Sequence, residues 1–233
     1  MEMLGGTQIA AARLTQWCQL AQGLHARYQI DDFAAGGRFL VDIGEAGAEL
    51  GHQPIVSMDA RHVDLKLVSD DAIFRDGETE HVAQWVTQKD LDLAARITEI
   101  AARHELSADV AAVSHVELGL DNSQSATIAP VWAALLTGDP DAQGRGTPSD
   151  EVRDATGRVP NLWFGDVPQA DGQRFHLEVY VTPEVATERI AAAVAAGGTV
   201  VDDSQAPSLV VLADQDGNRG VVCAPAPMAS TDD

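Results

Sequence analysis

The sequence predicts an α+β protein built in two successive parts, and three observations carry that prediction. Apolar residues at helical spacing dominate roughly the first 107 positions, with one clear strand among them. From about residue 108 the pattern turns to strand-like alternation, and the order strand, helix, strands occurs twice before residue 225. With 233 residues and 45% hydrophobic side chains, the chain has enough material for two small cores.

In chain order, residues 8–26 place Ala11, Leu14, Trp17, Cys18, Ala21 and Leu24 at helical spacing and read as a first helix. A second helix starts after the capping residue Asp32, runs over 33–50 and stops at Gly51, because Gln53 precedes Pro54 and so avoids helical angles. Val63, Leu65 and Leu67 alternate with Asp64 and Lys66 as a half-buried strand. Residues 70–80 are polar, contain Asp-Gly and read as a loop or hairpin tip. A third helix covers 87–103. Beyond it come a strand over 114–121, a helix over 123–136, and a Gly/Asp/Pro-rich loop over 138–157 with one weak strand at 151–154. Strands follow at 161–165, 175–181, 209–213 and 220–223. Thr182, Pro183 and Gly197 punctuate a helix between the second and third of these. The last residues, 226–233, read as a disordered tail.

Composition limits the function classes. A net charge of −21 repels phosphate backbones and anionic lipid, which argues against nucleic-acid and membrane-surface partners. No run approaches the length of about 18 apolar residues that crosses a bilayer. Cys18 and Cys223 lie near opposite ends without metal-type spacing, and no basic n-region or apolar h-region opens the chain. The expectation is a reduced, cytoplasmic protein whose partner is a small molecule.

Two constellations carry chemistry. The first is Gly51-His52-Gln53-Pro54 together with Thr87-Gln88-Lys89-Asp90, followed by Leu91-Asp92-Leu93-Ala94. Taken singly, His52 is an ordinary residue of a helix-ending turn, and Asp90 completes a capping box. Taken together with the strand at 63–67, Trp17, Phe33 and Phe39, they resemble the pterin-4a-carbinolamine dehydratase family over about 95 residues. That family ends a helix in Gly/Asp-His-His-Pro, ends a strand in a third histidine, and opens a helix with Thr/Ser-x-x-Asp-x-x-Leu-Ala. The resemblance implies a small antiparallel sheet with helices on one face, a homo-oligomer, and loss of the 4a-hydroxyl from a tetrahydropterin carbinolamine. It assigns His52, Gln53, His81 and Asp90 to catalysis, with Pro54 and Asp70 beside the ligand.

This chain departs from the motif at two places. Gln53 replaces the second histidine and cannot carry a proton between donor and acceptor. The third histidine position falls on Asp70 when counted from His52 and on His81 when counted back from Asp90, 11 residues apart. An insertion therefore lies in between, either presenting His81 to the site or simply lengthening a loop. With a positioned acid–base group contributing about 10²–10⁴-fold, weak activity or none is expected.

The second constellation is His115-Val116-Glu117-Leu118-Gly119 and His176-Leu177-Glu178, each a histidine with a carboxylate two residues on along one strand face. Two such strands offer ligands for a divalent metal or, more simply, two hydrogen-bonded histidines. Together with Asn161-Leu162-Trp163-Phe164 and the turn Asp214-Gln215-Asp216-Gly217-Asn218, they resemble the glyoxalase and bleomycin-resistance (vicinal-oxygen-chelate) superfamily over most of 111–223. The resemblance implies paired βαβββ modules in a curved, barrel-like sheet, over 108–225. It matches His115 and His176 to metal-binding positions, but the usual glutamate after the turn is Val221 here. The expected outcome is a metal-free pocket lined by Trp163, Glu117 and Glu178 that takes a small organic molecule. Three functions remain open at this point: a pterin-type lyase, a non-catalytic binding or scaffold protein, and a specialised-metabolite enzyme working in the glyoxalase-like pocket.

Overall fold

The computed structural model describes residues 1–76, 79–122, 125–137, 139, 141–142, 151–152, 159–166, 174–215, 217 and 219–224. The 226–233 tail and the turn residues Asp216 and Asn218 lie outside that set. The chain divides into two compact units at Val113/Ser114.

The first unit runs α1 (Gly6–Ala11), β1 (Cys18–Leu20), β2 (Gly23–Gln29), α2 (Phe33–Leu50), β3 (Ile55–Met58), β4 (His62–Leu67), β5 (Ser69–Asp76), β6 (Thr79–Trp85) and α3 (Gln88–Arg103). Four strands form an antiparallel sheet in the order β1-β2-β4-β3. Leu24, Ala26 and Tyr28 of β2 and Val63, Leu65 and Leu67 of β4 turn one face onto Phe39 and Ile43 of α2 and Leu93, Ile97 and Ile100 of α3. This is the expected antiparallel sheet with helices on one face.

Two local expectations fail. The single helix over 8–26 is a short α1 followed by a β-hairpin. Arg13, just past α1, and Ala21, in the turn between β1 and β2, take left-handed φ values of 51° and 47°, which a continuous right-handed helix does not hold. Leu14 and Trp17 still reach the core, so the apolar spacing was real but spanned a helix, a turn and a strand. The polar segment 70–80, expected to be a loop or hairpin tip, lies mostly within the paired strands β5 and β6, which are described up to Asp76 and from Thr79. Residues 1–3 run alongside β5, bridging Glu2 to Ile73.

The second unit runs β7 (His115–Asn122), α4 (Ser125–Thr137), β8 (Glu151–Val152), β9 (Leu162–Asp166), β10 (Phe175–Tyr180), α5 (Pro183–Ala195), β11 (Thr199–Gln205), β12 (Leu209–Ala213) and β13 (Arg219–Cys223). Its seven-stranded sheet has the order β11-β12-β13-β10-β7-β9-β8, curved and not closed. β10 pairs parallel with β13 and β13 antiparallel with β12; β7, β9 and β8 repeat that pattern. The second module is thus a complete βαβββ unit, and among the described residues the first shows β7, α4, β8 and β9. The modules join where β7 and β10 pair antiparallel at the sheet centre. Leu120, Leu162 and Phe164 pack on α4, while Val181 and Val222 pack on α5. β11 was not expected, because all seven of its residues are exposed and carry no buried alternation.

Candidate functional site

In the first unit, the site begins with how α2 ends. Gly51 adopts φ 64°, which glycine accepts without a Cβ penalty, and the His52 amide bonds back to the Gly47 carbonyl at 3.0 Å. That cap directs His52 to the start of α3, where its Nε2 lies 2.7 Å from Asp90 Oδ1. Asp90 is fully buried, and the His52 side chain is 12% exposed.

Asp90 is held by more than His52. Its Oδ2 accepts from the Thr87 amide at 2.7 Å and from the Ser69 hydroxyl at 2.7 Å, with Thr87 Oγ1 at 3.1 Å. Thr87 Oγ1 and Ser69 Oγ are also 2.8 Å apart. Each hydroxyl has one hydrogen. The shorter distances put the Thr87 hydrogen on Ser69 and the Ser69 hydrogen on Asp90. Burial by itself would raise the Asp90 pKa, but the bonds from His52, the Thr87 amide and Ser69 together hold it below the ordinary carboxylate range. An ionised Asp90 facing Nε2 requires that nitrogen to carry a hydrogen. Nδ1 is then the atom left to exchange protons, and no hydrogen bond engages it among the described residues.

The other residues expected at this site lie elsewhere. Gln53 is exposed and folds back on α2, donating to the Gly44 carbonyl at 3.3 Å. Asp70 is exposed and accepts from Gln84 at 2.6 Å. His81 is on β6 and stacks on Phe74, with ring centroids 6.4 Å apart. It is four residues from Trp85, which pairs with Ser69, so it lies about 13 Å along the ladder from the Asp90 cluster. Pro54 follows in the turn, half-buried. Sequence reasoning missed Ser69; its one signal was its place immediately before Asp70.

In the second unit, the register of β7 and β10 sets Glu117 directly opposite Glu178, His115 opposite Tyr180, and Gly119 opposite His176. A half-turn about the Glu117–Glu178 midpoint carries one His-x-Glu motif onto the other. Paired residues share a face, so the two carboxylates have Cβ atoms about 5 Å apart. Glu117 is 2% exposed; its Oε1 lies 3.4 Å from both His115 Nε2 and Asn161 Nδ2. Glu178 accepts from the Tyr180 hydroxyl at 2.8 Å and lies 3.8 Å from His176 Nε2. Gly119 is flanked by His176 on β10 and Trp163 on β9, and a Cβ there would overlap both rings. Trp163 meets His176 edge-on at 5.4 Å.

The Glu178 carboxylate, 3.8 Å away, raises the His176 pKa against the opposing effect of burial, with the charge of Asp121 adding to it. Burial, then the charge of Glu178, pushes the Tyr180 phenol up, so it stays a donor. Burial, then the charges of Glu178 and Glu117, pushes the Cys223 thiol up to about 12, so it is no nucleophile at neutral pH. Tyr180 and Cys223 were not expected at this face, although Tyr180 continues the 176, 178 alternation.

The donor set does not fit a divalent metal. His115 and His176 are offset by four residues along paired strands, about 13 Å. Each turns to its own glutamate, and Val221, the position of the missing carboxylate, lies opposite Glu178 on β13. Among the described residues no three His, Cys, Asp or Glu groups converge for a cation.

Comparison with known proteins matches both halves. The family model described as pterin 4 alpha carbinolamine dehydratase matches residues 4–100, and that described as glyoxalase-like domain matches 117–223. A Roseiflexus sp. (strain RS-1) protein named "Putative pterin-4-alpha-carbinolamine dehydratase" is 31% identical over 87 residues, covering 37% of this chain and 82% of that relative. A solved structure described as a transcriptional coactivator/pterin dehydratase from Brucella melitensis aligns with TM-score 0.35 and 18% identity, over 43% of this chain and 99% of its own. No helix among the described residues is long and apolar enough to cross a membrane. The chain belongs to the pterin 4 alpha carbinolamine dehydratase family through its first unit, which is fused to a glyoxalase-like domain.

Proposed function

We propose that the first unit is a carbinolamine dehydratase whose proton chemistry rests on His52 alone, and that the glyoxalase-like unit binds a small organic molecule without a metal. The observation that carries the first part is the 2.7 Å contact between His52 Nε2 and the buried Asp90. In this reading Nδ1 takes the proton from the ring N–H of the 4a-carbinolamine. The nitrogen lone pair forms the new C=N bond as the C–O bond breaks. The imidazolium returns the proton to the departing hydroxyl, which leaves as water. Asp90 opposite Nε2–H stabilises the transient positive charge.

One imidazole serving both transfers is slower than two dedicated groups, since each positioned acid–base group contributes about 10²–10⁴-fold. Turnover on freshly generated 4a-hydroxytetrahydropterin is therefore expected to be low, and His52→Ala should remove it by a factor in that range. Turnover that survives His52→Ala would refute the assignment. Self-association belongs to the same reading, supported by the exposed Ile55 and Val56 of the edge strand β3, and light scattering reads it out.

A second reading, a non-catalytic binder, is favoured by one specific observation: Gln53 both lacks a proton to shuttle and points back to α2. Pterin binding measured by calorimetry with no turnover in the wild type would support it over the first.

A further inference from the structure

We infer that Ser69 is a positioning residue that fixes Asp90 so that His52 presents Nδ1 to the ligand. The inference rests on reading His52 as the acid–base group. Three observations support it. Ser69 is 2% exposed and bonds to Asp90 Oδ2 at 2.7 Å. It also accepts from Thr87, so one hydroxyl ties β5 to the start of α3 at the carboxylate itself. Thirdly, β5 is irregular between Ser69 and Ala72, and this turns Asp70 and Asp71 outward while Ser69 and Ala72 stay buried. A side chain at position 70 therefore leaves on the solvent side.

The role follows from the two oxygens of Asp90. With Oδ2 saturated by Ser69 and the Thr87 amide, only Oδ1 is free to face His52, and the carboxylate cannot rotate away. Among the described residues that hydrogen-bond to Asp90, His52 is the sole ionisable one. Lys89, the adjacent cation, turns to Asp71 at 3.8 Å. Without the Ser69 hydroxyl, Oδ2 loses a donor, the carboxylate gains rotational freedom, and the His52 tautomer is no longer fixed.

The test uses the wild-type two-unit chain with Ser69→Ala, Ser69→Thr and Asp70→His. Nitrogen-15 NMR of the His52 ring reads the tautomer, and carbon-13 NMR of Asp90 reads its titration. The expected result is a single Nε2–H tautomer in the wild type, a mixture in Ser69→Ala with Asp90 titrating at higher pH, and restoration by Ser69→Thr. Where turnover is present, Ser69→Ala should lower kcat about tenfold with little change in KM, and Asp70→His should give no gain. A folded Ser69→Ala with unchanged tautomer and Asp90 titration would overturn the inference, as would a gain in turnover from Asp70→His. Absence of turnover in the wild type would count against the dehydratase reading only, because the NMR readouts judge Ser69 without it.

Discussion

In the first unit a single imidazole faces a carboxylate that is closed off from solvent and held by donors from two further elements. In the second, two imidazoles each lie beside a glutamate on their own strand, and the glutamates face one another across the sheet centre. The difference lies in where the organising groups come from. Asp90 is assembled from β5, the residue before α3 and the turn after α2, so it exists only when the unit is folded. The His-x-Glu pairs are local to one strand and become a site only because the β7–β10 register opposes them. The first arrangement fixes one carboxylate against one imidazole; the second sets two carboxylates opposite one another by a half-turn, each beside the histidine of its own strand.

The sharpest way to break this comparison is Asp90→Asn. The neutral amide loses charge-assisted bonds that contribute about 1.5–3 kcal/mol each, and it presents an NH₂ to groups arranged to donate. We expect a stability loss of about 2–4 kcal/mol by chemical denaturation, confined to the first unit, and loss of any turnover. The matching change in the second unit, Glu117→Gln, removes one of two opposed charges and should cost far less. Equal losses in the two units would mean that both carboxylates are structural in the same way.

A smaller effect sharpens the second half of the comparison. Val221→Glu places a carboxylate opposite Glu178 on the same face, supplying the acidic ligand that the superfamily pattern has there. In the absence of metal the added charge should lower the melting temperature of this unit. Because His115 and His176 stay offset by four residues, added nickel should bind no more tightly than to the wild type and should not restore the melting temperature, both readable by calorimetry. If nickel binding rises instead, the missing glutamate, and not the offset of the two histidines, is what prevents a metal site.

Much of this was legible in the sequence, for identifiable reasons. The α2 cap, with Asp32 at its start and Gly51 at its end, and the Thr87-x-x-Asp90 opening of α3 are local signals, and the structure places them at the expected positions. The pairing of His52 with Asp90 came from the family motif, because a sequence separation of 38 residues hides it from any local pattern. Ser69 was illegible for a different reason. Counting assumes a regular strand, and the irregularity in β5 decides which of residues 69 to 72 face inward. The helix expected over 8–26 failed because a 3.6-residue period of apolar side chains says which residues are buried and not that the backbone between them is continuous. In the second unit the two His-x-Glu motifs were visible, but their opposition depends on a strand register that no single-strand pattern encodes.

The two units should also respond to pH in opposite directions, which gives the smallest but most discriminating effect. Asp90 has its pKa lowered on folding, so its contribution to stability is present above the unfolded value of roughly 3.9 and is lost as pH falls through the lower folded value. His176 has its pKa raised, so its contribution is full below the unfolded value of roughly 6.5 and is lost as pH rises through the higher folded value. Amide exchange followed residue by residue from pH 5 to pH 8, corrected for the intrinsic rate, should show β10 and its neighbours loosening while α3 keeps its protection. His176→Gln should flatten that trend in the second unit and leave the first unchanged. A trend that persists in the variant would assign the pH dependence to another group, and the imidazole would then be a ligand-facing side chain with no part in holding the sheet centre together.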